Sequence, residues 1–144
     1  MAYTHQLPQI ETLLPHRGRM LLIDKIVKIE KDAAISLSTV KPQWPLFNNN
    51  CVSPLLIIEL VAQTSGLNNG LNHIQAEGVG TTTKGLLVGI KNAVFYVNDI
   101  ACGAIIETHT KNSFEFEGFR EIQGFSKVGQ QMIGEVILQV MRAD

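Results

Sequence analysis

The stretch Leu55–Leu67 restricts the fold more than any other feature of this chain. Ser53-Pro54 ahead of it is an N-cap residue followed by proline at the first helical position, a combination that opens helices. From Leu55 no helix breaker intervenes until Gly66, and apolar residues fall on every side of the helix. A helix apolar all round has to be covered on most of its surface. Beyond Leu67 the helix is expected to fray between Asn68 and Gln75, and Glu77–Thr83, rich in Gly and Thr, reads as a loop.

The remaining chain supplies the cover as strands. Met20–Ile29 and Ala33–Val40 read as the first two, joined by a polar turn at Glu30, Lys31 and Asp32, with Ile35, Leu37 and Thr39 alternating along the second. Lys41–Cys51, with Pro42, Pro45 and the run Asn48-Asn49-Asn50, reads as a loop. After the helix come Leu86–Val97, Ala104–Phe116, Phe119–Val128 and Met132–Met141, separated by Asn98-Asp99, Glu117-Gly118 and Gly129. The expectation is one α+β domain over residues 1–144, a long central helix wrapped by a curved antiparallel sheet of about six strands. Such a sheet leaves edges, and pairing between copies closes them, so a homodimer or higher homo-oligomer is expected.

Composition removes several function classes. A chain of 144 residues with 45% hydrophobic and 17% charged residues supports one core, and its formal net charge of −1 offers no electrostatic draw to nucleic acid. Met1–Leu14 carries no basic stretch leading into an apolar run, and no segment approaches the roughly eighteen apolar residues of a membrane span. A cytoplasmic location without a membrane span is the expectation. Cys51 and Cys102 stand apart in no CxxC arrangement, which suggests neither a disulfide framework nor a zinc site, and no metal, nucleotide or serine-hydrolase motif stands out. No cofactor is implied.

Three stretches resemble the beta-hydroxyacyl-(acyl carrier protein) dehydratases of the hotdog superfamily. Leu14-Pro15-His16-Arg17 running into Gly18–Asp24 resembles that family's Leu-Pro-His-Arg motif and first strand. Pro54–Gly66, with Glu59 four positions before Gln63, resembles its central helix, and Gly89–Phe95 resembles the strand after it. The resemblance implies the hotdog fold and a 3-hydroxyacyl thioester substrate on acyl carrier protein or coenzyme A. One departure stands out. Where that family carries a catalytic histidine in Gly-His-Phe-Pro-Gly, this chain runs Trp44-Pro45-Leu46-Phe47-Asn48-Asn49-Asn50-Cys51-Val52-Ser53. A shortened, histidine-free loop resembles a divergent branch found with polyketide and aryl-polyene type acyl-chain pathways.

The candidate chemistry centres on Glu59, a lone ionisable group among Leu55–Ile58 and Leu60–Ala62. Burying a carboxyl favours its neutral form, and a carboxyl held in an apolar setting suits general acid or base work. The alternative is a structural glutamate in a polar network or across a dimer. Gln63, four residues on, shares its helix face and can orient it. His16 is the one histidine inside a motif and one candidate for the missing base, beside a residue of a partner subunit or Glu59 in both roles, though with Arg17 it also suits a structural role at the entry to the first strand. His5, His73 and His109 lie in no motif, and Asn48–Asn50 transfer no proton near neutrality. The resemblance implies that the Leu55 N–H, beside Ser53 at the helix start, binds the thioester carbonyl, and that Ser53, Gln63 and Gly89 also contact substrate. Arg17, Arg19, Lys41 and Lys91 are the cations available to dock an acidic carrier. Three functions remain open: a dehydratase, a thioesterase using Glu59 alone, and a non-catalytic dimer that binds acyl chains or a carrier protein.

Overall fold

The computed structural model describes residues 7–78, 80 and 84–143; His5 and part of the Glu77–Thr83 loop lie outside the described residues. A short helix α1 (Ile10–Leu13) and a 3₁₀ turn (Gly18–Met20) precede β1 (Lys25–Ile29) and β2 (Ala33–Thr39). Two-residue strands β3 (Phe47–Asn48) and β4 (Cys51–Val52) lead into α2 (Leu56–Glu77). Then follow β5 (Lys84–Phe95), β6 (Ile100–Ala101), β7 (Ile105–Phe116), β8 (Phe119–Val128) and β9 (Gln131–Ala143). The main sheet has six antiparallel strands in the order β1-β2-β7-β8-β9-β5, and β3, β4 and β6 form a small second sheet. This is the hotdog arrangement that the helix and strands predict.

The first strand departs from expectation. Met20 belongs to the 3₁₀ turn and β1 starts only at Lys25, because the segment between leaves the sheet to cover α2: Leu22 and Ile23 are buried in separate core clusters. The predicted fraying at Asn68–Gln75 is also corrected. α2 continues for 22 residues to Glu77, since its second half is clamped. Leu67 packs with Leu13, Leu14, Ile23, Ile29 and Ala34, and Asn72 donates to the Lys31 carbonyl at 2.7 Å. The glycines that look like breakers make the clamp possible. A methyl group on Gly66 would come within 2.6 Å of Leu14 Cδ2, and one on Gly70 within 2.6 Å of the Leu13 carbonyl oxygen.

The first half of α2 is embedded as its composition demands. Ile57, Leu60 and Val61 are fully buried against Ile106, Ile122, Val136 and Leu138, at about 1.5–3 kcal/mol for each such side chain. The helix approaches β2 and β7 closely enough that small hydroxylated residues face it. Ser36 Oγ lies 2.8 Å from Thr64 Oγ1, and Thr108 Oγ1 lies 2.8 Å from Ser126 Oγ. On β2 the buried face is therefore Ala34, Ser36 and Ser38, while Ile35 and Leu37 turn to the other side, half-buried. The Asn run is consumed by a hairpin. Asn49 and Asn50, at φ 52° and 62°, form the two-residue turn between β3 and β4 that requires positive φ at both positions.

Candidate functional site

His16 arrives at the helix by way of backbone fixed by Arg17. The Arg17 guanidinium donates to the carbonyls of Leu14 (2.6 Å), His16 (2.7 Å) and Glu11 (2.9 Å), so this cation is spent on holding the turn. His16 Nε2 then lies 3.3 Å from Glu59 Oε1. The other ring nitrogen, Nδ1, is buried and has no hydrogen-bond partner among the described residues, so backbone and packing orient the ring.

Gln63 ties this pair to the chain's start. Fully buried, it accepts from the Leu22 N–H at 3.0 Å and donates through Nε2 to the Met20 carbonyl (2.7 Å) and to Glu59 Oε1 (2.8 Å). One carboxylate oxygen thus meets both an amide donor and an imidazole nitrogen. The deep burial expected of Glu59 is not supplied by one chain: its side chain keeps 37% of its exposure and that of His16 keeps 31%. Apolar sequence neighbours overstated burial here because Glu59 lies on the helix stripe that faces a groove.

That groove, about 360 Å³, runs beside Glu59 and His16 between the Leu13–Pro15 segment, the Ile58–Gly70 face of α2, and side chains of β5, β8 and β9. Of the other predicted contacts, Ser53 and Leu55 stand about one turn before Glu59 and do not line it, nor does Gly89 on β5, where Gly85 and Leu87 do. The Leu55 N–H is held by Ser53 Oγ at 3.2 Å, a long bond, whereas the next three N–H groups donate to backbone carbonyls at 2.9–3.1 Å. Arg120, half-buried, and the exposed Arg142 also line the groove, unforeseen from the sequence because charged residues on a strand read as solvent-facing. The Gly66/Gly70 spacing of four was the available signal that something packs closely on that helix stripe.

The other candidates are accounted for structurally. His109 Nε2 lies 2.6 Å from Glu107 Oε2 and its ring stacks on Phe125 at 4.6 Å, on the outer face of the sheet. The His109 hydrogen bond, with Lys127 3.3 Å away, holds the Glu107 carboxyl below its ordinary value. Lys41 pairs with Asp24, and Lys91 lies 3.5 Å from Glu121. Among the described residues no three His, Cys, Asp or Glu side chains converge as metal ligands, and no helix is long and apolar enough to cross a membrane.

Residues 8–144 match the model of a protein family described as ApeP-like, the ApeP dehydratases. The chain belongs to that family. This ApeP-like chain is also similar to the 3-hydroxyacyl-[acyl-carrier-protein] dehydratase FabZ of Streptococcus sanguinis, 38% identical over 63 residues, which cover 40% of this chain and 45% of FabZ. The chain therefore spans a little under half the length of the curated relatives it matches. Among solved structures, the dehydratase heterocomplex ApeI:P from Xenorhabdus doucetiae superposes with a TM-score of 0.86 at 18% identity, covering 97% of this chain and 93% of the other. A hypothetical thioesterase with coenzyme A from Streptococcus pneumoniae reaches 0.62 at 9% identity, covering 83% and 84%. At these identities the two structures establish the shared fold.

Proposed function

We propose that the chain removes water from 3-hydroxyacyl thioesters carried on acyl carrier protein or coenzyme A, giving the trans-2-enoyl product, in cytoplasmic acyl-chain biosynthesis. The observation that carries this reading is the 3.3 Å approach of His16 Nε2 to Glu59 Oε1 at the wall of a groove. Nε2 takes the proton from the carbon beside the thioester carbonyl, and the protonated Glu59 carboxyl gives its proton to the departing hydroxyl, which leaves as water. The proton on Nε2 then returns to Glu59 across the same gap, restoring both groups. Gln63 holds the carboxyl in place for this exchange. Enolate charge on the thioester oxygen is stabilised by the Leu55 N–H, whose long bond to Ser53 Oγ is the easiest at that helix end to exchange. In this scheme His16 replaces the base that the loop lacks.

The reading includes a partner across β5. That strand is an edge of the main sheet, and Leu86, Leu87, Val88 and Ile90 on it are 47–56% exposed, a long apolar edge of the kind that pairs with another chain. The occupant is a second copy or a companion subunit, the latter suggested by the similar Xenorhabdus protein being a dehydratase heterocomplex. The test is mass spectrometry of a 3-hydroxyacyl carrier protein incubated with the chain, with and without such a companion, and with Glu59→Gln and His16→Gln. Loss of one water by wild type and neither variant supports the scheme. Release of the acyl group as free acid would replace it with a thioesterase, and an unchanged substrate in every arm would leave acyl or carrier binding as the function.

A further inference from the structure

Along α2 the groove beside Glu59 passes from apolar to polar. Ile58 and Ala62 line it near the carboxyl, and Ser65, farther on, donates its hydroxyl to the Ala62 carbonyl at 2.9 Å, so it brings no unmet donor. One turn beyond Ser65 the groove is lined by Asn69, which is 8% exposed. Its Oδ1 accepts from Asn112 Nδ2 at 2.9 Å and from Asn68 Nδ2 at 3.3 Å. Asn68 Nδ2 also reaches the Lys31 carbonyl at 3.4 Å, so Asn68 presents a donor and Asn69 has to answer with its oxygen. The amide is thereby fixed the other way round toward the groove. What Asn69 has left to offer there is its N–H2, which has no partner among the described residues.

Ten residues of α2 separate Glu59 from Asn69, about 15 Å at the helical rise. An extended chain advances about 1.2 Å per bond, and a methyl rests about 4 Å from an atom that it touches. A tail laid along the helix from the carbon that reacts beside Glu59 therefore meets the Asn69 amide once the acyl chain has about twelve carbons. Each methylene added before that point leaves water for apolar wall and tightens binding about fourfold. One pressed against the N–H2 displaces the amide's water and returns no hydrogen bond, a loss that offsets the gain of one or more methylenes. We propose that Asn69 is a specificity-determining residue, setting an upper limit of about twelve carbons on the straight saturated acyl chain that the groove prefers. The inference rests on the dehydratase reading only in placing the thioester at the Glu59 end.

The test measures binding, not turnover, so a failure of the dehydratase reading shows in the water-loss assay and leaves this result intact. Calorimetry on the full chain follows saturated 2-oxoalkyl thioethers of N-acetylcysteamine, with chains of six to sixteen carbons, which carry a carbonyl and a tail but no cleavable thioester. The dissociation constant is expected to fall about fourfold per methylene up to about twelve carbons, and by less than about twofold for each further pair of carbons. Asn69→Leu, similar in volume and apolar, is expected to keep gaining through fourteen carbons. Asn69→Asp keeps an oxygen for Asn68 and Asn112 but exchanges the N–H2 for a group costlier to dry. It is expected to bind the fourteen-carbon probe more weakly than wild type does, and it serves where the leucine variant melts early. An even gain through sixteen carbons in wild type, or a limit reached by eight carbons, would overturn the proposal. So would a limit that stays in place in Asn69→Leu, since the groove walls would then end the chain, or an aspartate variant equal to wild type at fourteen carbons.

Discussion

Replacing Gln63 by leucine would test whether one buried amide joins the site to the fold. Leucine matches the volume but removes the acceptor for the Leu22 N–H and the donor shared by the Met20 carbonyl and Glu59. Leu22 is fully buried, so its orphaned N–H costs about 1–3 kcal/mol, while the part-exposed Met20 carbonyl and Glu59 cost less, about 1 kcal/mol each. Against this gross loss of about 3–5 kcal/mol, the leucine gains about 1 kcal/mol from its own burial. The net, about 2–4 kcal/mol, corresponds to a melting temperature lower by roughly 6–14 °C for a domain of this size. Gln63→Glu separates fold from chemistry, because it still accepts from Leu22 N–H yet sets a second carboxylate against Glu59. Thermal melts followed by circular dichroism, with water loss measured on the same samples, read both effects. The expected order is Gln63→Leu least stable, and Gln63→Glu lower in turnover than its stability loss explains. Gln63→Leu melting within about 2 °C of wild type would refute the reasoning.

Gly70→Ala gains up to about 1 kcal/mol of helix propensity, but its methyl would sit 2.6 Å from the Leu13 carbonyl oxygen, and overpacking of that kind costs about 1–3 kcal/mol. A lower melting temperature is expected, and a rise would show that the Leu13–His16 segment is not clamped. Glu107, held by His109 and Lys127 below its ordinary 4.5, adds stability above that pH that is lost as pH falls through its lowered folded value. Urea melts of wild type and Glu107→Gln should accordingly differ at neutral pH and converge on acidification. Ile90→Lys places a charge on the apolar β5 edge and is expected to shift the protein toward monomer, with light scattering after gel filtration as the measurement.

The element order was legible in the sequence because punctuation and helix composition agree. Glu117-Gly118, both at positive φ, turns β7 into β8 where the sequence places it, and Phe119–Val128 is a strand with the predicted limits. What failed did so for two reasons. Helix length depended on a tertiary clamp from residues some fifty positions earlier, so Gly66 read as a breaker when it is, with Gly70, a close contact. The alternation of Ile35, Leu37 and Thr39 marked β2 as a strand but not which face is buried, and that is set by a helix close enough to admit Ala34, Ser36 and Ser38. Glu59, Gln63 and His16 were singled out from residue type, spacing and the family resemblance, and the structure brings the three side chains together. Arg120 and Arg142 were invisible for the opposite reason: charged residues on a strand read as outward-facing.

The exposure of the site and the exposure of the sheet edge have a common origin. Leu87 is half exposed on the edge strand β5, and the same side chain lines the groove with Gly85. A chain added along β5 would therefore lie over the groove's open side as well as satisfy the strand's unpaired backbone. Closing that side would remove water from around Glu59 and His16, supplying the desolvation that the sequence led one to expect of Glu59 and that one chain does not provide. Association and dehydration should then be coupled. Ile90→Lys, far along β5 from both groups in sequence and absent from the groove lining, should lower water loss in proportion to the monomer it creates. Full activity in a demonstrably monomeric variant would break that link and place the complete site within one chain.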